Sequence, residues 1–168
     1  MTTPGPDRTT QDACIPDLLD PNVRSRLAGA LPAVIRMMEA WGLTRADQAG
    51  LLTFSPRTIQ RAAQGKRPSP LRLTQDQLMR MSLITGIYAA LHAVYDGLTA
   101  DTWMTRANGR PPFDGRAPVR VLLQGGIPSL LMVRRMLDAD RSGQFGASPH
   151  ARLTAHSLPQ PDINLPES

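Results

Sequence analysis

The stretch from Thr44 to Arg61, TRADQAGLLTFSPRTIQR, constrains this chain more than any other. It spells two short helices and the turn between them. Thr44 is a good N-cap, because its hydroxyl can accept a hydrogen bond from a free N–H in the first turn. Ser55 is a second N-cap, and Pro56 follows at the first helical position, where a missing N–H costs nothing. Leu51, Leu52 and Ile59 are apolar on the inner sides, and Ala49 is small where the second helix must cross closely. This is the spacing of a helix-turn-helix. One position departs from the pattern. The turn residue that is usually glycine, tolerant of positive φ, is the β-branched Thr53, at a cost of about 1 kcal/mol.

The second helix of the pair has a polar face. At 100° per residue, Arg57, Gln60, Arg61 and Gln64 fall on one side and Ile59, Ala62 and Ala63 on the other. Arginine reads guanine and glutamine reads adenine through paired hydrogen bonds in the major groove. Lys66, Arg67 and Arg72 follow the helix and suit phosphates. The expected DNA-binding set is Ser55, Arg57, Thr58, Gln60, Arg61, Gln64, Lys66 and Arg67. A formal net charge of +5 is consistent with a polyanionic partner, although many basic proteins have none. Lys66 is the only lysine, so arginine carries almost all the positive charge.

The remainder of the chain reads as all-α, since alternating β-branched and aromatic runs are nearly absent. Residues 1–16 are rich in Thr, Pro, Gly and Asp and read as a disordered arm. The helix-turn-helix unit spans 17–67. Within it Asp20-Pro21 opens a helix, Pro32 breaks it, and a second helix runs to Trp41, closed by Gly42. Trp41 reads as a core anchor. Residues 65–73, GKRPSPLRL, have linker composition. Thr74 then caps a long helix with Leu78, Met81, Ile84, Tyr88, Leu91 and Tyr95 on one face. Gly86 inside this helix implies close approach of another backbone, and His92 reads as a packed, hydrogen-bonded histidine. Thr99 caps a short helix with Trp103 and Met104. Residues 108–115, NGRPPFDG, are turn chemistry. Pro118 opens a further short helix ended by Gly125-Gly126, and Leu130, Val133, Met136 and Leu137 form the inner stripe of the last helix. Residues 74–141 form the second domain, and 142–168 read as a disordered tail. The face carrying Leu78, Ile84, Tyr88 and Leu91 has more apolar surface than this small domain can bury alone, so a homodimer through residues 74–140 is expected.

Several function classes find no support. There is no HExxH, GxSxG, phosphate loop or dinucleotide fingerprint, so no enzyme and no cofactor are expected. Cys14 is the only cysteine, which rules out an intrachain disulfide and a cysteine-based zinc site. No apolar run reaches membrane-spanning length, and MTTPGPDRTTQDA lacks the apolar stretch of a secretory leader, so a cytoplasmic location and no membrane partner are expected.

The order of these features resembles the antitoxins that carry an Xre/MbcA/ParS toxin-binding domain behind a helix-turn-helix. The resemblance rests on Met38-Glu39-Ala40-Trp41-Gly42-Leu43, then Ser55, Arg57, Thr58, Ile59 and Arg61. In the second half it rests on Arg80, Ser82, Leu83, Gly86-Ile87-Tyr88 and Ala90-Leu91-His92. After these come Trp103, Phe113, Gly115-Arg116, Pro118, Leu122-Leu123, Gly125-Gly126, Val133-Arg134-Arg135 and Leu137-Asp138. It covers about Val23 to Asp140. The resemblance implies an all-α homodimer that occludes the cleft of a RES-domain, NAD-consuming toxin and binds its own promoter. It places toxin contacts on Arg116, Arg134, Arg135 and Asp138. Paired arginines such as Arg134 and Arg135 suit carboxylates at a cleft mouth, or merely complement the helix dipole. Two other classes stay open at this point: a stand-alone DNA-binding regulator whose second domain only dimerises, and an interaction module with a degenerate helix-turn-helix.

Overall fold

The computed structural model describes residues 20–65 and 72–142. The expected N-terminal arm, Lys66, Arg67 and the tail beyond Ser142 lie outside the described residues. Among the described residues every regular element is a helix.

Local capping chemistry sets most of the boundaries. Helix α1, Pro21–Ala28, starts at Asp20, whose Oδ1 accepts the Asn22 N–H at 2.8 Å. Helix α2, Leu31–Ala40, begins with Pro32 in its first turn, so the proline separates two helices as expected. It ends in a Schellman motif. Gly42 takes φ +70°, its N–H donates to the Glu39 carbonyl at 2.8 Å, and the Leu43 N–H donates to Met38 at 3.0 Å. Helix α3, Arg45–Leu52, carries a full capping box: the Thr44 hydroxyl accepts the Asp47 N–H, and the Asp47 carboxylate accepts the Thr44 N–H. Helix α4, Pro56–Ala63, is capped by Ser55, whose hydroxyl accepts the Thr58 N–H at 3.1 Å. Between α3 and α4, Thr53 sits in the left-handed region at φ 56° and ψ 37°.

Helix α5, Gln75–Val94, has the second capping box, formed by Thr74 and Gln77. Helix α6, Gly97–Thr102, starts at Asp96, whose carboxylate accepts the Thr99 N–H. Thr99 is therefore capped and is not the cap, and Trp103 and Met104 lie just past the helix. The aspartate wins because a charged acceptor in the first turn is the stronger cap. Helix α7, Pro118–Arg141, contains a break at Gly126, φ 57° and ψ −139°, a backbone state open only to glycine. Gly126 thus ends one helix and the next begins, as the glycine pair implies.

The longest helix contact is α5 against α7, and α5 also lies on α2 and α3. Leu31, Ile35, Met38, Trp41, Leu51 and Ile59 share one buried cluster with Ile84, Ile87, Leu91, Leu122, Leu130 and Val133. Each such side chain contributes about 1.5–3 kcal/mol when fully buried. Trp41 is 1% exposed, with its ring 5.5 Å from that of Tyr88, so it is the core anchor it reads as.

One expectation is overturned here, and the reason given for another is removed. Ile84 and Leu91 are wholly buried and Leu78 nearly so, within this one chain. These three side chains are covered by helices of the same chain and need no second copy to bury them, while Tyr88 of the same face is half-buried. The neighbour of Gly86 is a side chain and not a backbone: a Cβ there would stand 2.2 Å from Nη1 of Arg134. Glycine at this position makes room for a guanidinium laid across the helix.

Candidate nucleic-acid interface and partner face

Helix α4 divides as its sequence requires. Ile59 and Ala62 are buried, while Arg57, Gln60, Arg61 and Gln64 are exposed. These four side chains make no hydrogen bond or ion pair among the described residues. Two arginines and two glutamines therefore stand free on one side of a helix whose other side is locked into the core. Ser55 and Thr58 are different. The Ser55 hydroxyl caps the helix, and the two hydroxyls pair at 2.9 Å. They build the helix start and leave less capacity for an external ligand.

The support for α4 comes from α5. The Gln77 amide Nε2 donates to the Thr53 carbonyl at 3.1 Å, and Arg80 Nη1 donates to the Leu51 carbonyl at 3.1 Å. Asp76 Oδ2 binds Arg80 Nε at 2.7 Å and accepts from the Thr53 hydroxyl at 3.2 Å. The Arg80 hydrogen bond is the main reason the Asp76 carboxyl titrates below the usual carboxylate range. On the other flank, Arg120 of α7 pairs with Asp47 of α3 at 3.3 Å.

The residues expected at a toxin contact are not joined into one bonded network. Arg134 pairs with Asp138 one turn on, Nε to Oδ2 at 2.8 Å, and both are part-buried. Oδ1 of Asp138 is buried without a partner. Arg135 is exposed and unpaired among the described residues. Arg116 lies before the Gly126 break and donates to Phe113 O of its own loop and to Gln124 Oε1 of α7, each at 3.2 Å. No hydrogen bond or ion pair joins it to Arg134 or Asp138.

A stronger ion pair escapes sequence reasoning. Arg110 grips Asp140 with two hydrogen bonds, 2.6 and 3.0 Å, across 30 residues. The Asp140 side chain is 4% exposed, and its hydrogen bonds hold the Arg110 guanidinium above its already high pKa. The pair ties the 108–116 turn to the end of α7. No local pattern signals it. His92 bonds the Tyr88 carbonyl and Asp101, at 3.0 and 3.1 Å, in keeping with a structural histidine. Among the described residues, no group of three or more His, Cys, Asp or Glu side chains is placed to hold a metal ion. No helix among them is long and apolar enough to cross a membrane.

Comparison with known proteins agrees with this geometry. Residues 20–86 match the family model described as the antitoxin Xre-like helix-turn-helix domain. That segment holds α1 to α4 together with the part of α5 that supports Thr53. The chain is also 32% identical, over 123 residues, to an uncharacterised protein, y4oB, of Sinorhizobium fredii (strain NBRC 101917 / NGR234). The match covers 71% of this chain and 89% of the relative. No solved structure matches it significantly. With its free polar face on α4, the segment 20–86 of this chain is an Xre-like helix-turn-helix antitoxin domain.

Proposed function

We propose that this protein is an antitoxin that represses its own operon through α4 and neutralises a cognate toxin through its second half. The observation that carries the DNA reading is the set of unengaged side chains on α4. Arg57, Gln60, Arg61 and Gln64 are held out by a helix whose inner face is buried. Arginine and glutamine side chains are suited to base edges, and Lys66, Arg67 and Arg72 supply phosphate contacts. Ser55 and Thr58 serve this surface by fixing its first turn. Lys66→Ala is expected to weaken binding uniformly across sequences and to lower the salt slope by about one unit. Repression by a homodimer would present two α4 helices to a two-fold site. Since Leu78, Ile84 and Leu91 are buried within the chain, such a dimer would form through other side chains of residues 74–140.

The toxin reading assigns residues 74–141 to a RES-domain, NAD-consuming partner. It is supported by the resemblance of the second half and by Arg135, a free guanidinium beside the Arg134–Asp138 pair. Bidentate docking on carboxylates at a cleft mouth suits such a group. Co-expression tests it. A chain ending at Arg141 should still rescue cells from a RES-type toxin encoded beside it, if the folded part blocks the cleft. Loss of rescue with unchanged helicity would assign the block to the tail.

A further inference from the structure

The turn between α3 and α4 is built on a residue that resists it. A β-branched side chain in the left-handed region is sterically disfavoured, and Thr53 stands there at φ 56°. Such a conformation persists only where its surroundings over-determine it. Here the surroundings are the first turns of α5. The last carbonyls of any helix lack intrahelical donors. Arg80 supplies one to Leu51 of α3, and Gln77 supplies one to Thr53 itself. Arg80 is also a cation at the negative end of α3, held in place by Asp76. The Thr53 hydroxyl oxygen lies 2.7 Å from the Leu52 carbonyl and 3.2 Å from Asp76, and its single proton favours the nearer acceptor. From outside, the turn is held by the Arg80 bond to Leu51 and by the Gln77 amide, the one that reaches the Thr53 backbone itself.

We propose that Gln77 and Arg80, which lie on α5 and outside the expected DNA contacts, are positioning residues for α4. Their bonds to the end of α3 hold Thr53 left-handed and so fix the angle at which α4 leaves α3. The inference rests on the DNA reading for its functional consequence, and on the geometry of the turn for the clasp itself. A family member with glycine at this turn would have less need of the clasp, since glycine adopts this conformation freely.

Gln77→Glu separates the clasp from the stability of α5. A glutamate at this position still accepts the Thr74 N–H and completes the capping box. It cannot donate to the Thr53 carbonyl. Gln75→Glu, on the exposed first turn of the same helix, adds the same charge without touching Thr53 and controls for repulsion from DNA. The Phe54 N–H, bonded to the Ala49 carbonyl at 3.1 Å across the turn, is the reporter. Its amide exchange is measured in the full chain, alongside binding to a duplex taken from immediately upstream of the reading frame.

Loss of one such bond should raise Phe54 exchange and lower DNA affinity by roughly three- to tenfold in Gln77→Glu. Gln75→Glu should move neither. Adding Thr53→Gly to Gln77→Glu should restore both. Unchanged Phe54 exchange in Gln77→Glu overturns the clasp, whatever the DNA result. Raised exchange with full DNA affinity overturns the positioning role. A loss that Gln75→Glu reproduces, or that Thr53→Gly leaves intact, assigns the effect to charge and equally overturns it. If the parent chain binds no duplex at low salt while exchange behaves as expected, the DNA reading fails and the clasp stands.

Discussion

Arg110 and Asp140 make an asymmetric pair, and the asymmetry predicts which partner can be lost more cheaply. The Asp140 side chain is 4% exposed and that of Arg110 36%. Arg110→Ala strands a carboxylate that is itself almost wholly buried. Removing one partner of a buried pair costs about 3–5 kcal/mol, and the neighbouring cleft beside Val94 and Tyr95 lowers this to about 2–4. Asp140→Ala instead frees a guanidinium on a flexible stem that is already one-third in solvent. Only the hydrogen bonds and some packing are lost, about 1–2 kcal/mol. Asp140 also sits in the last turn of α7, where a negative charge opposes the helix dipole, so its removal returns roughly 0.5 kcal/mol. Arg110→Ala should therefore cost more than Asp140→Ala by about 1.5–2.5 kcal/mol. Combining Arg110→Ala with Asp140→Asn should recover about 1 kcal/mol, because the stranded group becomes neutral. Urea denaturation followed by circular dichroism at 222 nm reads all three. Equal losses for the two single variants, or a double variant less stable than Arg110→Ala, would refute the reasoning.

Two further outcomes follow from the fold. Leu91→Ala should destabilise the chain by about 2–5 kcal/mol without changing its mass by light scattering, since Leu91 is buried within one chain; a change in assembly would contradict that placement. Asp76 titrates below 3.8 in the folded state because Arg80 donates to it, so its contribution is complete above that value and drains away as pH falls through the folded pKa. The stability gap between the parent and Asp76→Asn should accordingly be wide at pH 7 and narrow at pH 3 in matched urea titrations, and a gap that widens in acid would reverse the sign.

What could be read from the sequence was what local chemistry decides. Thr44, Ser55 with Pro56, and Gly42 each act on residues within one turn, so their helices start and stop where the sequence places them. Pro32 and Gly126 break helices for equally local reasons. The missed features are all nonlocal. The glutamine that holds Thr53 lies 24 residues away, and the partner of Arg110 lies 30 away. Gly86 shows the same limit from the other side. A small residue in a helix signals close approach, but the sequence does not say whether a backbone or the Arg134 side chain fills the space. The apolar stripe of α5 misled for a related reason. Periodicity measures how much surface needs cover, and α7 supplies that cover from within the chain. At the candidate site, the polar face of α4 was legible as an amphipathic pattern, whereas the engagement of Ser55 and Thr58 in capping appeared only in three dimensions.

The central claim is that the exposed side of α4 reads DNA. The measurement that tests it most directly is fluorescence anisotropy titration of the upstream duplex, at fixed salt, with the parent chain, Arg57→Ala and Arg61→Ala. Both arginines are exposed and unbonded among the described residues, so neither substitution should alter helicity or urea stability. Each should cost about 1–3 kcal/mol of binding if its guanidinium contacts a base edge. Two variants that stay folded and bind as tightly as the parent would contradict the claim.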